Sequence, residues 1–283
     1  MSIVAVKAGL DAPETAVEEK LVLHDFRTAT DIARGAEGLD VQGFTFINHQ
    51  SALDTELLLN GTKIEVVEET YAKEALNLAL EITGAKRGIV HKVVFRRRLS
   101  PDEPDWSSLF SKGDTAAPEK APSRNILVPP PQGPASQMHI DLSLEGLEQT
   151  LRYCRKNIAE FAAPVLEAQD RRAAGDKDVK RALRTVKRDP IAVYDWRSLD
   201  KQSDLVPTEN RKPSEINATP QNQHCYCIPK QIPEEVTIIK FAASASEDPA
   251  VAAGCLHGSP EVPGTEEEET RCSVETRVYL FWE

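Results

Sequence analysis

Apolar residues recur at helical spacing in two parts of the chain. Over residues 68–83 they step by three and four, and Gly84 stands where such a helix would end. A second amphipathic pattern follows Ser143, a residue type that caps helix N-termini, and continues to Val165. Between these two predicted helices, residues 88–95 are rich in β-branched side chains and predict a strand.

Short β-type runs dominate the second half of the chain. They predict four strands, at residues 191–194, 226–228, 236–241 and 273–281. Further runs predict strands at 41–47, 63–67 and 138–142, whereas the charged segment before residue 191 shows no such run. Helices in front, strands behind and no internal repeat predict one α+β domain over residues 1–283.

Residues 100–135 break both patterns. Eight of the 19 prolines fall here, among Ser, Asp and Lys residues. Two interpretations stay open: a surface excursion without functional consequence, or a lid over an active site, because long loops often cover one. The segment runs directly into residues 138–142, so a lid would lie close to whatever those residues bind.

Composition and charge exclude several classes of function. The chain has 34 basic and 45 acidic residues, hence a net charge of −11, which leaves no overall basic surface for nucleic acid or anionic lipid. No apolar run approaches the ~20 residues of a membrane span, and the first residues lack the features of a secretory signal. Five cysteines, an odd number, indicate a reducing compartment. We expect a soluble, cytoplasmic protein that binds a small molecule, with neither nucleic acid nor membrane as partner.

The first candidate for chemistry is the tripeptide His139-Ile140-Asp141. Residues i and i+2 of a strand point the same way, so an imidazole and a carboxylate would be aimed together as two ligands of one metal. With a distant histidine they would form the 2-His-1-carboxylate triad of non-haem iron oxygenases. About one such match is expected by chance among six histidines, so a surface pair without function is the competing interpretation.

A second candidate lies near the C-terminus. His257 precedes a Gly/Pro turn, and Arg271 and Ser273 follow on one face of the last predicted strand. An arginine fork with a hydroxyl is suited to holding a carboxylate at two places. The competing interpretations are a hydrogen-bonded loop histidine and an ion pair between Arg271 and the acidic run 266–269.

A zinc site competes with both candidates. It could be assembled from His224, Cys225, Cys227, Cys255, His257 and Cys272. The spacing is Cys-X-Cys, however, and not the paired Cys-X2–4-Cys of structural zinc sites. Cys227 lies on an apolar run and is suited to packing as a small hydrophobe. The basic runs at 96–98 and 184–188 are short and favour a solvated strand or turn.

Several phrases of the sequence, in their order and spacing, carry a family resemblance. They are HID at 139–141, RDPIAVYDWRS at 188–198, DLVPT at 204–208, PEEVTIIKF at 233–241, HGSPE at 257–261 and RCSVETRVYLFW at 271–282. Over roughly residues 38–283 the chain resembles a fungal and bacterial family of iron(II)/2-oxoglutarate oxygenases. This family groups gibberellin desaturase-like, AsaB-like hydroxylase/desaturase and CmcJ-like proteins, and aziridine-forming oxygenases are similar.

The resemblance implies a double-stranded β-helix (jelly-roll, cupin-like) core with flanking helices. It also implies Fe(II), with 2-oxoglutarate and O2 as cosubstrates. The metal ligands carried over are His139, Asp141 and His257, and His224 is the next histidine to test should His257 not be one. Arg271 and Ser273 match the pair that holds the far carboxylate of 2-oxoglutarate.

Arg277 is the alternative cosubstrate arginine, and Arg181 is the candidate for binding substrate. The family phrase around Arg181 departs here, because INVWRPL is replaced at 178–183 by DVKRAL, with Asp178 for Asn and Lys180 for Trp. The expected reaction is hydroxylation, desaturation or oxidative cyclisation, such as aziridine formation, of a small amino acid or natural-product intermediate. A catalytically inactive binding protein with the same fold, or a Cys/His zinc protein, is the alternative.

Overall fold

The structure, a computed structural model, describes residues 2–8, 17–59, 66–97, 126–129, 131–167, 174–202, 205–207, 216–218 and 224–282. The strands are β1 Ser2–Ala8, β2 Val17–Asp25, β3 Phe44–Asn48, β4 Arg87–Arg96, β5 His139–Ile140, β6 Ala174–Ala182, β7 Ala192–Tyr194, β8 Leu205–Pro207, β9 Ile216–Ala218, β10 Cys225–Cys227, β11 Glu235–Ala243, β12 His257–Gly258 and β13 Ser273–Phe281. The helices are α1 Gly35–Val41, α2 Thr55–Leu59, α3 Ala72–Thr83, α4 Leu144–Tyr153 and α5 Lys156–Glu167. A π-helical turn at Val67–Tyr71 leads into α3.

The strands form two sheets that face each other. The order is β1-β2-β10-β7-β12-β5-β9-β8 in one and β3-β11-β6-β13-β4 in the other. The five-stranded sheet is antiparallel throughout. A single apolar cluster joins the sheets, because it contains Phe44 and Phe241 from the five-stranded sheet together with Val193 and Tyr226 from the eight-stranded sheet. The predicted α+β class is confirmed in this form, as helices flanking two sheets.

Helix α3 covers the outer face of the five-stranded sheet. Its buried side chains, such as Leu78, pack in one cluster with Val274 and Leu280 of β13. Gly84 ends the helix as predicted, with φ of 69° and its N–H bonded to the carbonyl of Leu80. Since alternate residues of a strand face opposite ways, the other residues of β13 lie on the inner face. Of these, Tyr279 and Phe281 pack in one cluster with residues of α4 and α5.

The predicted helix after Ser143 is two helices. The hydroxyl of Ser143 accepts the N–H of Gly146 at 3.0 Å, which confirms the N-cap. The chain then breaks between α4 and α5. Leu147 and Leu151 of α4 pack in the same cluster as Ile158 of α5. The apolar spacing therefore continues across the interruption, and the sequence pattern does not predict that the helix ends there.

Two strand predictions are wrong in part. In the predicted strand at 41–47, Val41 ends α1 and Gly43 turns the chain before β3. A side chain at Gly43 would meet the carbonyl oxygen of Gly254 at 2.4 Å, and its φ is 92°. Of the predicted strand at 63–67, residues 63–65 lie outside the described residues and Val67 begins the π-helical turn.

The charged segment at 174–182, for which no strand was predicted, is β6, the central strand of the five-stranded sheet. The strands predicted at 88–95, 191–194, 226–228, 236–241 and 273–281 are confirmed as β4, β7, β10, β11 and β13. Among the helices that the structure describes, none has the length and apolar character needed to cross a bilayer.

Most of the Pro-rich segment lies outside the described residues. Its C-terminal part runs beside β4, where the N–H of Val93 donates to the carbonyl of Leu127 and the N–H of Gln132 to that of Phe95, each at 2.9 Å. The carbonyl oxygen of Ala135 then accepts a hydrogen bond from the N–H of Ser259. The lid interpretation stays a prediction.

Candidate metal centre

His139, Asp141 and His257 converge at one place. His139 and His257 are directly paired across the antiparallel strands β5 and β12. Nε2 of His257 lies 3.3 Å and Nε2 of His139 lies 3.7 Å from Oδ2 of Asp141. The three ligand atoms all lie within 4.8 Å of one another, and the described residues contain no other such cluster.

The backbone fixes the tautomer of both imidazoles. Nδ1 of His139 lies 2.8 Å from the carbonyl oxygen of Gln137, and Nδ1 of His257 lies 3.0 Å from that of Cys255. A carbonyl oxygen can only accept, so the proton of each neutral ring is on Nδ1. Each Nε2 therefore presents a lone pair towards Asp141, which is how metal-binding histidines are usually oriented.

Electrostatics favour neutral imidazole beside an ionised carboxylate. Burial, the ring of His139 and the ammonium of Lys180 lower the pKa of His257 well below its ordinary value. Burial alone would raise the pKa of Asp141, but His139, His257 and Arg277 together hold it below its usual range. His257 and Asp141 thus offer the protonation states that a metal requires.

A narrow pocket lined by charged side chains adjoins the triad. Alternate residues of three neighbouring strands face it, namely Lys92 and Arg96 from β4, Asp178 and Lys180 from β6, and Glu275 and Arg277 from β13. The apolar lining comes from Val94 and Phe241. The ring of Phe241 stacks on that of His257 at 5.3 Å between centroids, so one side of the histidine is shielded from water.

Arg277 is the arginine nearest the triad. Its Nη1 lies 4.0 Å from Oδ1 of Asp141, and its guanidinium lies 4.5 Å above the ring of Phe241. Nε and Nη2 both lie 2.7 Å from Oδ2 of Asp176. Burial raises the pKa of Asp176 to about 6 although Arg277 opposes the rise. Arg277 is thus held in place by a buried carboxylate beside the candidate metal ligand.

Arg271 and Ser273 lie near Glu275, a residue of the pocket lining, and each has a polar atom without a partner among the described residues. Both residues are buried, and Nε of Arg271 and Oγ of Ser273 have no hydrogen-bond partner in the described part of the chain. Nη2 of Arg271 lies 3.8 Å from Oε1 of Glu275. The other oxygen of Glu275 accepts from Nε of Arg96 at 2.9 Å and lies 3.1 Å from Nζ of Lys180. Three cations from three elements therefore surround one carboxylate.

Arg181, the predicted substrate-binding residue, does not reach this pocket. It follows Lys180 on β6, so its side chain points to the opposite face of the sheet. There Nη1 donates to the carbonyls of His49 and Pro233 at 2.8 and 2.9 Å, and Nη2 lies 3.3 Å from Oε1 of Glu74. The prediction is wrong for this pocket, because the guanidinium is used to tie β6 to α3.

Three other expectations are corrected. Arg96, placed by sequence in a solvated run, faces the pocket. His224, the reserve metal ligand, is away from the triad, with its side chain 57% exposed and Nδ1 4.0 Å from Asp31. The zinc alternative fails among the described residues, since Cys225 and Cys255 are buried in separate apolar clusters. Burial raises the pKa of both thiols, which disfavours the thiolate that zinc binds.

Sequence reasoning missed the charged residues of β6. Oδ2 of Asp178 lies 2.8 Å from Nζ of Lys180, so the two departures from the family phrase form an ion pair with each other inside the pocket. The signal was available in the alternation of Asp176, Asp178 and Lys180, which has the period of a strand. Polar residues at that period suggest a solvent-exposed face unless the pocket is already known.

Comparisons with known proteins agree with this geometry. A family model described as an oxidoreductase/YMDC permease-like domain matches residues 6–281. The gibberellin cluster GA4 desaturase of Gibberella fujikuroi is 27% identical, and the match covers 97% of this chain and 90% of the relative. The hydroxylase/desaturase efuI of Hormonema carpetanum is 25% identical, with coverages of 94% and 84%. The predicted resemblance and the expectation of an oxidoreductase are thereby confirmed.

Solved structures share the fold. Two structures of NvfI, described as an iron and alpha-ketoglutarate-dependent endoperoxidase, are 18% identical to the chain, with TM-scores of 0.68 and 0.65. Each match covers 99% of this chain and 97% of the other. The likeness therefore extends over both sheets and is not confined to the metal-binding strands.

Proposed function

Because the chain belongs to the family of oxidoreductase/YMDC permease-like domains, we propose that it is a non-haem iron(II)- and 2-oxoglutarate-dependent oxygenase. The observation that carries the proposal is the convergence of His139, Asp141 and His257, with both imidazoles held by backbone carbonyls so that their Nε2 atoms face the carboxylate. The names of the relatives, which include a desaturase and a hydroxylase/desaturase, support the same class of reaction.

The residues present fit an iron(II) ion. Two neutral imidazole nitrogens and one ionised carboxylate oxygen are the donor set of the facial triad, which leaves coordination positions open for other ligands. The Cys side chains that would favour zinc are absent from the cluster. Iron(II) bound there would supply activation of O2, with 2-oxoglutarate as the electron-donating cosubstrate.

The charges of the pocket beside the triad suit the cosubstrate. We propose that Arg271 and Ser273, whose Nε and Oγ have no hydrogen-bond partner among the described residues, hold the far carboxylate of 2-oxoglutarate. Arg277, next to Asp141, then orients the end of the cosubstrate at the metal and balances its negative charge. Phe241 keeps water from the face of His257 on which it stacks.

The substrate that we propose is a small amino acid or natural-product intermediate, acted on in the cytoplasm. Its oxidation would be a hydroxylation, a desaturation or an oxidative cyclisation such as aziridine formation. We also propose that the two facing sheets are the halves of a double-stranded β-helix, with the triad on one sheet and the cosubstrate residues on the other, and that residues 1–283 form one domain.

Anaerobic titration tests the proposal directly. Addition of Fe(II) and then 2-oxoglutarate to the protein should produce a weak visible charge-transfer band, because the oxoacid chelates iron in enzymes of this class. The band should be absent with Fe(II) alone, with Zn(II) in place of Fe(II), and in Asp141→Ala. A protein that binds neither iron nor 2-oxoglutarate would overturn the proposal.

Turnover separates an enzyme from an inactive binding protein with the same fold. Admission of O2 to the loaded protein should release CO2 from 2-oxoglutarate and yield succinate, slowly even without the natural substrate. If the protein shows the band but does not decarboxylate 2-oxoglutarate in the presence of any compound from a panel of small molecules, it is an inactive binding protein.

A further inference from the structure

Two lysines face each other on the side of the five-stranded sheet that is turned away from the metal centre. Lys177 of β6 is paired directly with Lys240 of β11. Lys177 is 2% and Lys240 is 1% exposed. Like charges directly opposite each other on neighbouring strands repel, and burial increases the cost. Such an arrangement requires compensation.

Only one of the two amines has a partner. Nζ of Lys240 lies 2.9 Å from Oδ1 of Asp40 on α1. In the part of the chain that the structure describes, Nζ of Lys177 has no hydrogen bond or ion pair, and its nearest aromatic contact is the ring of Trp282, with 6.0 Å to the centroid. Burial and the facing Lys240 lower the pKa of Lys177 well below its ordinary value. Among the described residues, the Lys177 amine is thus buried without a direct ion-pair partner, and Asp40 and Asp176 offset its charge only from a distance.

Both amines line a cavity. Its volume is about 230 Å³, enough for a molecule of several heavy atoms. Apart from Lys177, Lys240, Asp40 and Thr83, the walls are apolar, with Trp282 at one side. The apolar residues are Ala36, Leu39, Ala174, Ala243 and Ala245. A charged end and an apolar remainder therefore meet in one small space.

The charges of the cavity define the ligand. When both lysines are protonated, they and Asp40 leave one positive charge uncompensated, and because burial lowers the pKa of Lys177, a bound anion would favour its protonated form. A single carboxylate would supply the missing charge and accept hydrogen bonds from both ammonium groups. Ala and Leu walls favour a short hydrocarbon tail over a second charged group, because a second charge would be buried without a partner.

We propose that the cavity between Lys177, Lys240 and Trp282 is a binding site for a small organic monocarboxylate. The carboxylate lies between the two ammonium groups, and the tail packs against the alanines and the indole. The site is on the opposite face of the sheet from the triad, so the inference does not depend on the proposed oxygenase activity.

Butyrate and its neutral isostere butyramide test the site in the metal-free protein. At constant ionic strength, butyrate should raise the melting temperature of the wild type in a saturable manner, whereas butyramide should not, because binding only to the folded state stabilises it. Lys177→Met should lose at least tenfold in butyrate affinity. Lys73→Met, which removes an exposed lysine of α3, should bind butyrate as the wild type does.

Two further variants remove ambiguity about the location. Ala245→Leu fills part of the cavity from its rim and should also weaken butyrate binding. This variant tests the site even if Lys177→Met does not fold. Arg271→Gln should leave butyrate binding unchanged, which excludes the oxoacid pocket as the site, because Arg271 is the residue proposed to hold a carboxylate there. An equal response to butyramide, an unaltered affinity in Lys177→Met and Ala245→Leu, or loss of binding in Arg271→Gln would overturn the proposal.

Discussion

At the scale of single residues, the direction of each hydrogen bond determines what the triad can do. The carbonyls of Gln137 and Cys255 hold the Nδ1 protons of His139 and His257, so each Nε2 is available as a ligand. Asp141 completes the set as an already ionised carboxylate, because its pKa is held below the usual range. The same three residues in another tautomer would form an ordinary hydrogen-bonded cluster.

Removal of one triad ligand should abolish iron-dependent turnover. We expect His139→Ala, Asp141→Ala and His257→Ala each to lose Fe(II) binding, because two remaining ligands hold a labile ferrous ion poorly. His224→Ala is the control, since that side chain is 57% exposed and lies beside Asp31. Near-normal decarboxylation of 2-oxoglutarate by His257→Ala, measured as release of CO2, would contradict the assignment of the third ligand.

The two pocket arginines should differ in their effect on the cosubstrate. Arg271→Gln removes a charge-assisted hydrogen bond to the far carboxylate, worth about 1.5–3 kcal/mol, and should raise the apparent KM for 2-oxoglutarate roughly ten- to a hundredfold. Arg277→Gln should instead lower kcat and disturb the metal band, because it frees Asp176 beside the triad.

Arg197→Gln serves as the control for both variants, because it removes an arginine that is paired with Asp195 away from the pocket. If Arg277→Gln raises KM while Arg271→Gln is silent, the roles of the two arginines must be exchanged.

Lys177 should make stability depend on pH. Its folded pKa is lowered from 10.5 by burial and by Lys240, whereas Asp40 and Asp176 act in the opposite direction. Between that lowered value and 10.5 the unfolded chain binds a proton that the folded chain does not, so the free energy of unfolding rises with pH. Lys177→Met should flatten this rise in urea unfolding as the pH approaches 10.5, whereas Lys73→Met should not. An unchanged slope would contradict a buried, unpartnered amine.

At the scale of elements, two backbone segments approach each other closely next to the third proposed metal ligand, His257. Gly43 comes within 2.4 Å, measured from an added Cβ, of the carbonyl oxygen of Gly254. Gly254 begins the segment that leads to His257 on β12. The turn between α1 and β3 thus contacts the segment that precedes His257, a proposed metal ligand more than 200 residues away in sequence.

A pair of glycine substitutions measures that close approach. Both Gly43 and Gly84 have a positive φ, but an added Cβ at Gly84 meets open space. Gly84→Ala should therefore cost only the backbone strain, about 1 kcal/mol. Gly43→Ala should cost clearly more and weaken Fe(II) binding through displacement of residues 254–257. Equal losses of unfolding free energy in urea would show that the contact with Gly254 is unimportant.

The elements also show where sequence patterns succeed and where they fail. β13 matches its predicted bounds because apolar side chains on one face and Tyr279 and Phe281 on the other make a continuous β-type run. β6 has the same burial on both faces, yet five of its nine residues are charged. Partners of these residues, such as Glu275, Arg277 and Glu74, come from other elements. One sequence contains no record of which strands will be neighbours. Strands are therefore predictable here when they are apolar, and not when ion pairs replace apolar contacts.

At the scale of the whole molecule, the pairing of strands brings the site together. The sequence resemblance names His139, Asp141, His257, Arg271 and Ser273. The structure brings the first three together, whereas the roles of Arg271 and Ser273 stay predictions. The resemblance could not place Arg181, because the face of β6 to which that residue belongs depends on the register with β13. Nor could it find Arg96 and Lys180, whose roles arise only where three strands lie side by side.

The division of the site between the sheets leads to a prediction about ligand synergy. The two histidines lie on β5 and β12 of the eight-stranded sheet, whereas Ser273 and Arg277 lie on β13 of the five-stranded sheet. A ligand that chelates the metal and reaches β13 would join the sheets. A ligand at a hundred times its Kd stabilises the folded state by about 2.7 kcal/mol. Fe(II) and 2-oxoglutarate together should raise the melting temperature, measured anaerobically, by more than the sum of their separate effects.

Variants on the two sheets should break that synergy differently. His257→Ala should lose the effect of both ligands, because 2-oxoglutarate has no metal to chelate. Arg271→Gln should keep the stabilisation by Fe(II) alone and lose most of the additional effect of 2-oxoglutarate. A chelator should return the loaded wild type to the melting temperature of the metal-free protein. Strictly additive shifts in the wild type would mean that the metal and the cosubstrate bind independently, and the proposed bridge between the sheets would be wrong.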